Sequence, residues 1–284
     1  MESESLWQIP PESIVAQHDE VHVWRVFLNN APTWVQTLSQ VLSVDERQRA
    51  ERIRLQRARQ DFIVTRALLR ILIGRYLREN PHEIRFNYGT NGKPKLAEDN
   101  DQALRFNLSH SQGLALYAVT LGRNVGIDVE CVRSDDSIDA GMIAERFFSS
   151  QEIAALKSLP VAARLKAFFT CWTRKEAYLK ARGDGLSMAL DSFSVSLQPG
   201  EPAAVLNVSS DPNEIVRWSL ADLNPDSRYA GAIAVEGHDW RIKCWQLTGD
   251  MQELPPYIEK NNSRRGDTVN FPMLDNMPAR LPRH

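Results

Sequence analysis

Two short stretches of the 284-residue sequence place carboxylates and an amine at spacings that could bring them together on one face of a strand and one face of a helix. In the first, Gly126-Ile127-Asp128-Val129-Glu130, the two acids are two residues apart. On a strand both project from one face, close enough to share a hard cation through oxygen. Asp is disfavoured inside strands, yet Asp128 sits between Ile127 and Val129, so its position asks for a chemical reason; an edge strand carrying two acids is the plainer alternative. In the second stretch, Cys171 to Gly185, the residues Trp172, Glu176 and Lys180 recur every four positions and stack on one face of a helix. A face that mixes an indole, a carboxylate and an amine borders a site more naturally than it covers a core, although an amphipathic helix with a Glu-to-Lys pair reads the same way.

Three further stretches offer groups for an anion. Residues 89–95, G-T-N-G-K-P-K, form a turn-rich basic loop in which glycine admits a phosphate to the backbone and Lys93 supplies charge; N-G-K is equally a hairpin turn. Asn107, Ser109, His110 and Ser111 crowd four hydrogen-bonding side chains into an expected strand-to-strand connection, where they donate to an anion or simply form the turn. Between Arg47 and Arg59 lie six arginines, dense for a chain of net charge −2, and they await either an anionic ligand or solvent.

The elements that position these groups follow from periodicity. Residues 1–20, with Pro10 and Pro11, read as an extension draped over the surface, and Val21 to Leu28 alternates as a half-buried strand. Ser43 and Glu46 form a capping-box pattern that opens a helix to about Arg59, followed by a second helix from Asp61 to Arg78. Strands are expected at Ile84 to Tyr88, Leu104 to Leu108, the following L-A-L-Y-A-V-T, and Val125 to Val129. Residues 151–182 read as two helices around Pro160, with another capping start at Ser149 and Gly183 and Gly185 at the end. Further strands are expected at Leu190 to Leu197, Ala203 to Val208, Ile215 to Leu220, Tyr229 to Val235 and Trp240 to Gln246. Phe62 to Leu69 and Phe169 to Leu179 echo each other, each placing an aromatic residue and Thr-Arg in a helix, which points to two similar α/β halves joined near residues 121–125. The proline-rich stretch from Met251 to His284 shows no helical or strand period and reads as an irregular tail dispensable for chemistry.

Composition sets the outer limits. With 43% hydrophobic residues the chain can bury a large core, and a net charge of −2 gives no global pull toward nucleic acid or an anionic membrane. Three widely spaced cysteines, Cys131, Cys171 and Cys244, argue against a disulfide framework or a zinc site. Without a signal-like N-terminus or a run of about 18 apolar residues, the chain reads as soluble and cytoplasmic.

Taken together, N-G-K-P, F-N-L-S-H-S, G-I-D-V-E, R-F-F-S and W-T-R-K-E-A-Y-L-K, in this order, resemble the phosphopantetheinyl transferase superfamily, in its larger, pseudo-dimeric form typified by the surfactin synthetase activator. The resemblance covers residues 21–246, and its most specific part is the pairing of G-I-D-V-E with W-x-x-K-E-A-x-x-K about 45 residues later. It implies an α+β fold of two similar halves related by a pseudo-twofold, 21–121 and 122–250, with the active site in the cleft between them and irregular segments at 1–20 and 251–284. It implies transfer of the 4′-phosphopantetheine arm of coenzyme A to a serine of an apo acyl or peptidyl carrier protein, with Mg²⁺ required and 3′,5′-ADP released, by a monomer that binds neither nucleic acid nor membrane. Asp128, Glu130 and Glu176 would then hold the metal, with Glu176 also the candidate general base and Lys180 the group that stabilises the leaving phosphate. Arg49, Lys93, Pro94, Ser109 and His110 match coenzyme A contacts of the family, and Asn107, Asp128, Lys175 and Lys180 complete them. Glu46 departs from the pattern, standing where the surfactin-type relative has a lysine, and this puts Arg66 forward as a second grip on the 3′-phosphate. Two other readings use the same residues: another Mg²⁺-dependent phosphoryl-transfer enzyme or phosphodiesterase, which would need no carrier, and a nucleic-acid module built on the arginine-rich stretch, which leaves both acidic motifs unexplained.

Overall fold

The computed structural model describes residues 7–28, 31–89, 92–97, 103–133, 139–183 and 188–247. The expected irregular tail, Gly185 and part of the N-G-K turn lie outside them. Chain order is β1 (Trp7–Gln8), β2 (Glu20–Phe27), α1 (Ala31–Ser39), α2 (Val44–Arg52), α3 (Gln56–Leu77), β3 (Phe86–Tyr88), β4 (Pro94–Leu96), β5 (Leu104–Ser111), β6 (Leu114–Leu121) and β7 (Val125–Cys131). There follow α4 (Ala140–Phe147), α5 (Ser150–Ser158), α6 (Val161–Arg182), β8 (Phe193–Val195), β9 (Val205–Val208), α7 (Glu214–Arg217), β10 (Trp218–Leu223), β11 (Tyr229–Glu236) and β12 (Arg241–Gln246).

Among the described residues this mixed α/β architecture has two larger sheets and two two-stranded ones, β3-β4 and β8-β9. One larger sheet has the order β1-β12-β2-β6-β5 and the other β10-β11-β7. Alternation along the strands divides the core. Val21, Val23, Leu114, Leu116 and Ala118 of the first sheet meet Val125, Ile127, Val129, Ile233 and Val235 of the second. On its other face the first sheet turns Trp24, Val26, Tyr117 and Val119 toward Val64, Leu68 and Ile71 of α3. The second sheet turns Ala232 and Ala234 into a cluster with Ala177, Tyr178 and Ala181 of α6. Strand β6 is therefore covered on both faces, which is why L-A-L-Y-A-V-T is apolar throughout rather than alternating. Each such fully buried leucine contributes roughly 1.5–3 kcal/mol. Since Val125, Ile127 and Val129 point between the sheets, Gly126, Asp128 and Glu130 project from the other face of β7.

Several boundaries depart from expectation. The first long helix stops at Arg52, not near Arg59, and α3 begins at Gln56 after Ile53 turns to extended backbone (φ −77°, ψ 111°). The run R-Q-R-A-E-R-I-R-L-Q-R-A-R-Q has no apolar period to mark the break, which redirects the chain so that the apolar side of α3 reaches the sheet. The segment R-F-N-L-S-H-S is not a connection but the body of β5, which runs to Ser111. The residues 190–192 form a 3-10 turn, so only Phe193–Val195 of the expected strand is extended. A single helical turn, α7, replaces the start of the strand expected from Ile215, and β10 continues to Leu223. Trp7 does not drape over the surface. It is buried, pairs in β1 with Cys244 of β12, and donates its indole N–H to the Asn224 carbonyl. Strand β12 lies parallel to β2, so the last strand of the chain completes the first sheet.

Candidate active site where β7 meets α6

The approach of α6 to β7 rests on one missing side chain. A Cβ on Gly126 would lie 2.1 Å from the Ala177 carbonyl oxygen and 2.3 Å from the Ala181 nitrogen, so only glycine lets the helix backbone lie directly against the strand. That contact delivers Lys180 to Asp128, two residues beyond Gly126 on the same face. The Lys180 ammonium donates to Asp128 Oδ1 (2.6 Å), to Ser109 Oγ (3.1 Å) and to the Ile127 carbonyl (3.2 Å).

Strand β5 lies alongside β7 and holds it through side chains. Asn107 Oδ1 accepts from the Ile127 N–H (2.9 Å), Ser109 Oγ donates to Asp128 Oδ1 (2.8 Å), and Ser111 Oγ donates to Glu130 Oε2 (2.7 Å). The polar positions 107, 109 and 111 thus form one face of a strand, matched step for step to β7. Two serines two apart, each 19 residues before an acid of a pair two apart, is a signal present in the sequence but passed over as turn chemistry.

Asp128 is nearly inaccessible, yet among the described residues its Oδ2 has no hydrogen-bond partner. An orphaned carboxylate oxygen in a buried site costs free energy unless a ligand takes it up. Glu176 lies one turn before Lys180 on α6 and is half-buried. Among the described residues no three His, Cys, Asp or Glu side chains stand together closely enough to hold a metal on their own. A magnesium ion still fits the donors present. It is usually held by one or two carboxylates, with substrate phosphates and water as its other ligands, and the free Oδ2 of Asp128 beside Glu130 offers that kind of partial shell.

A second cluster lies between α2 and α3. The Arg66 guanidinium is buried, its Nη1 has no partner among the described residues, and it stacks 5.7 Å from the ring centres of Phe62 and Tyr88. Burial lowers its pKa, opposed by the nearby Tyr88 and Glu46. Exposed Arg49 covers Phe62 from 5.5 Å. Glu46 is structural: its carboxylate closes the Ser43 capping box and binds Arg70 at 2.5 Å, with Arg66 further off at 3.7 Å. His110 alternates with Ser109 along β5 and so lies on its opposite side, with Phe106 and Leu108, the side packed toward α3.

Two of the expected contacts are placed differently. Lys175 is fully buried and gives its ammonium to both Glu152 oxygens and to the Phe193 carbonyl, each at 2.7 Å, a core ion pair that uses all three of its donors. Lys93, next to Pro94 at the start of β4, donates to the main-chain carbonyls of Lys180 and Val125. Burial, then neighbouring Lys180 and Arg105, pushes its pKa down to about 8. Of the arginine-rich stretch, Arg47 and Arg59 turn back onto the Leu42 and Ile53 carbonyls, as a solvated helix surface would. Trp172 packs among Phe147, Phe148 and Phe168, so the mixed face of α6 is core at one end and site at the other.

Comparison with known proteins identifies the family. A sequence model of the 4′-phosphopantetheinyl transferase superfamily matches residues 124–234, and one for the N-terminal part of 4′-phosphopantetheinyl transferase matches residues 29–121. The chain is 40% identical to the 4′-phosphopantetheinyl transferase HetI of Nostoc sp., across 84% of this chain and 97% of that protein. It is 34% identical to the 4′-phosphopantetheinyl transferase psf-1 of Bacillus pumilus (67% of this chain, 79% of that one) and 34% identical to Sfp of Bacillus subtilis (54% and 66%). Among solved structures, the Helicobacter pylori holo-[acyl-carrier-protein] synthase in complex with coenzyme A aligns over 40% of this chain and 99% of that one, at 22% identity and a TM-score of 0.30. With both parts of the chain matched and a relative aligned nearly end to end, the chain belongs to the 4′-phosphopantetheinyl transferase superfamily of enzymes.

Proposed function

We propose that the protein transfers the 4′-phosphopantetheine arm of coenzyme A to a serine of an apo carrier protein, with Mg²⁺ at Asp128 and Glu130. The observation that carries this reading is the buried, unpartnered Asp128 Oδ2 beside Lys180 and Ser109, a pocket of one free carboxylate oxygen and one amine. In the reaction the serine Oγ attacks the β-phosphorus of coenzyme A, the bond from that phosphorus to the bridging oxygen breaks, and 3′,5′-ADP leaves. Bound magnesium would neutralise pyrophosphate charge. Glu176 takes the serine proton, and the Lys180 ammonium stabilises the charge that develops on the leaving phosphate. Ser109 orients Asp128, Ser111 orients Glu130, and Asn107 fixes the β7 backbone between them.

At the other end of the ligand, the unpartnered Nη1 of Arg66 and exposed Arg49 take the 3′-phosphate, and the loop of Lys93 and Pro94 borders the nucleotide. Ser109 and His110, on opposite sides of β5, let one extended ligand pass the strand edge between the two clusters. Side chains of residues 93–111 and 128–180 meet within one chain, which supports a catalytic monomer with two related halves. Among the described residues no helix is long and apolar enough to cross a membrane. The test is to incubate the protein with coenzyme A, Mg²⁺ and a panel of apo carrier proteins and to weigh each carrier. Gain of the arm, absent with Asp128→Asn, is expected; turnover of coenzyme A with every carrier unchanged would favour the carrier-independent phosphoryl-transfer reading.

A further inference from the structure

Lys93 stands in the first half of the chain, yet its ammonium donates to two main-chain oxygens of the second. One is the Val125 carbonyl, at the first residue of β7, and the other is the Lys180 carbonyl, in the last turn of α6. Carbonyls in a final turn run out of intrahelical donors, and a cation placed there also meets the negative end of the helix dipole. These two oxygens flank the Gly126 contact, so a single side chain pins the strand start and the helix end where their backbones touch. The residue whose carbonyl is held is the one whose ammonium bonds Asp128, and Glu176 lies one turn before it.

We propose that Lys93 is a positioning residue: it fixes the last turn of α6 on β7 and thereby aims Lys180 at Asp128, rather than binding a phosphate of coenzyme A. This rests on the transferase reading above for its kinetic consequence, but not for its structural one. Two of the three N–H bonds of the ammonium are spent on carbonyls. A phosphate ligand would be expected to keep its donors for the ligand, as Arg66 does with Nη1.

The experiment compares wild type with Lys93→Met, which keeps the length of the side chain and removes the donors, and with Lys93→Arg, which restores them. Binding of coenzyme A and dephospho-coenzyme A is measured by calorimetry, amide hydrogen exchange is followed across the end of α6, and kcat and KM are determined with a carrier that accepts the arm. We expect Lys93→Met to bind both nucleotides within about twofold of wild type, to exchange the last turn of α6 at least about tenfold faster, and to lose roughly 100-fold in kcat, the scale of a misplacement of about 1 Å. Lys93→Arg should recover part of both. A tenfold or greater loss of coenzyme A affinity with exchange and kcat unchanged would overturn the proposal and return Lys93 to the ligand. If wild type transfers to no carrier while exchange still accelerates in Lys93→Met, the clamp stands and the transferase reading falls.

Discussion

Replacing Gly126 by alanine adds one methyl group, and the structure states what that methyl would strike. All three nearest atoms are backbone: the Ala177 carbonyl oxygen at 2.1 Å, the Ala181 nitrogen at 2.3 Å and the Lys180 carbonyl carbon at 2.8 Å. None can rotate aside, so α6 has to withdraw from β7 by more than about 1 Å to reach ordinary van der Waals separation. Overpacking of this kind typically costs about 1–3 kcal/mol, and backbone on the receiving side places Gly126→Ala at or above the upper end. At about 2–4 °C per kcal/mol for a chain of this size, the melting temperature should fall by roughly 6–12 °C. The bond from Lys180 to Asp128, 2.6 Å long, cannot survive that withdrawal unchanged, so transfer should fall by about 100-fold even at temperatures where the variant is folded. Thermal melting and carrier mass gain are the two assays. A Gly126→Ala protein that melts and transfers like wild type would refute the argument that this glycine sets the geometry of the site.

Arg66→Met should weaken coenzyme A binding by roughly 10- to 100-fold while leaving dephospho-coenzyme A unaffected, and should leave the melting temperature unchanged or higher because an unsatisfied buried donor is removed; calorimetry and melting check both signs. Lys175→Met should destabilise the protein by about 3–5 kcal/mol by stranding the Glu152 carboxylate, with most of the loss recovered by adding Glu152→Gln; equal stability of the single and double variants in urea titration would contradict the ion-pair account. His22 is buried with its ring nitrogens on Tyr76 and Glu20, and burial, only partly offset by Glu20, lowers its pKa below the usual 6.5. The native state therefore binds fewer protons than the unfolded chain as pH falls through about 6.5 toward the lowered value, and stability drops in that window; His22→Gln should flatten this part of the stability curve relative to wild type.

The acidic pair and the Glu-to-Lys face were legible because their spacing, 2 in a strand and 4 in a helix, survives in any fold that keeps the elements. Both capping boxes, Ser43 with Glu46 and Ser149 with Glu152, were legible for the same local reason, and both form. What spacing could not show was that each capping glutamate is also the counter-ion of a buried cation on the following long helix, Arg70 for Glu46 and Lys175 for Glu152. That depends on where a helix packs, 23 or more residues further along the chain. The resemblance therefore placed Lys175 among the ligand contacts although it is a core ion pair. The β5 hydroxyls were misplaced for a related reason: serine and asparagine favour turns in isolation, and only the adjoining β7 supplies partners that make them suitable in a strand.

The internal echo between α3 and α6 bears on where the proposed transferase would hold an anion. In each helix a threonine hydroxyl donates to the carbonyl four residues earlier, Thr65 to Asp61 and Thr173 to Phe169, and the next residue is a buried arginine. In the second half that guanidinium is closed: Arg174 donates to both Asp222 oxygens, at 2.8 and 2.6 Å, and to Ser196. In the first half the corresponding Arg66 faces Glu46 only at 3.7 Å, because Arg70 holds that carboxylate more closely, and its Nη1 has no partner among the described residues. Glu46 lowers the charge of the cluster, but Arg70 holds it more closely than Arg66 does, so Arg66 is left with a donor to give. Two helices of one design differ in whether the fold satisfies their arginine, and the unsatisfied one is where a phosphate has something to gain by binding.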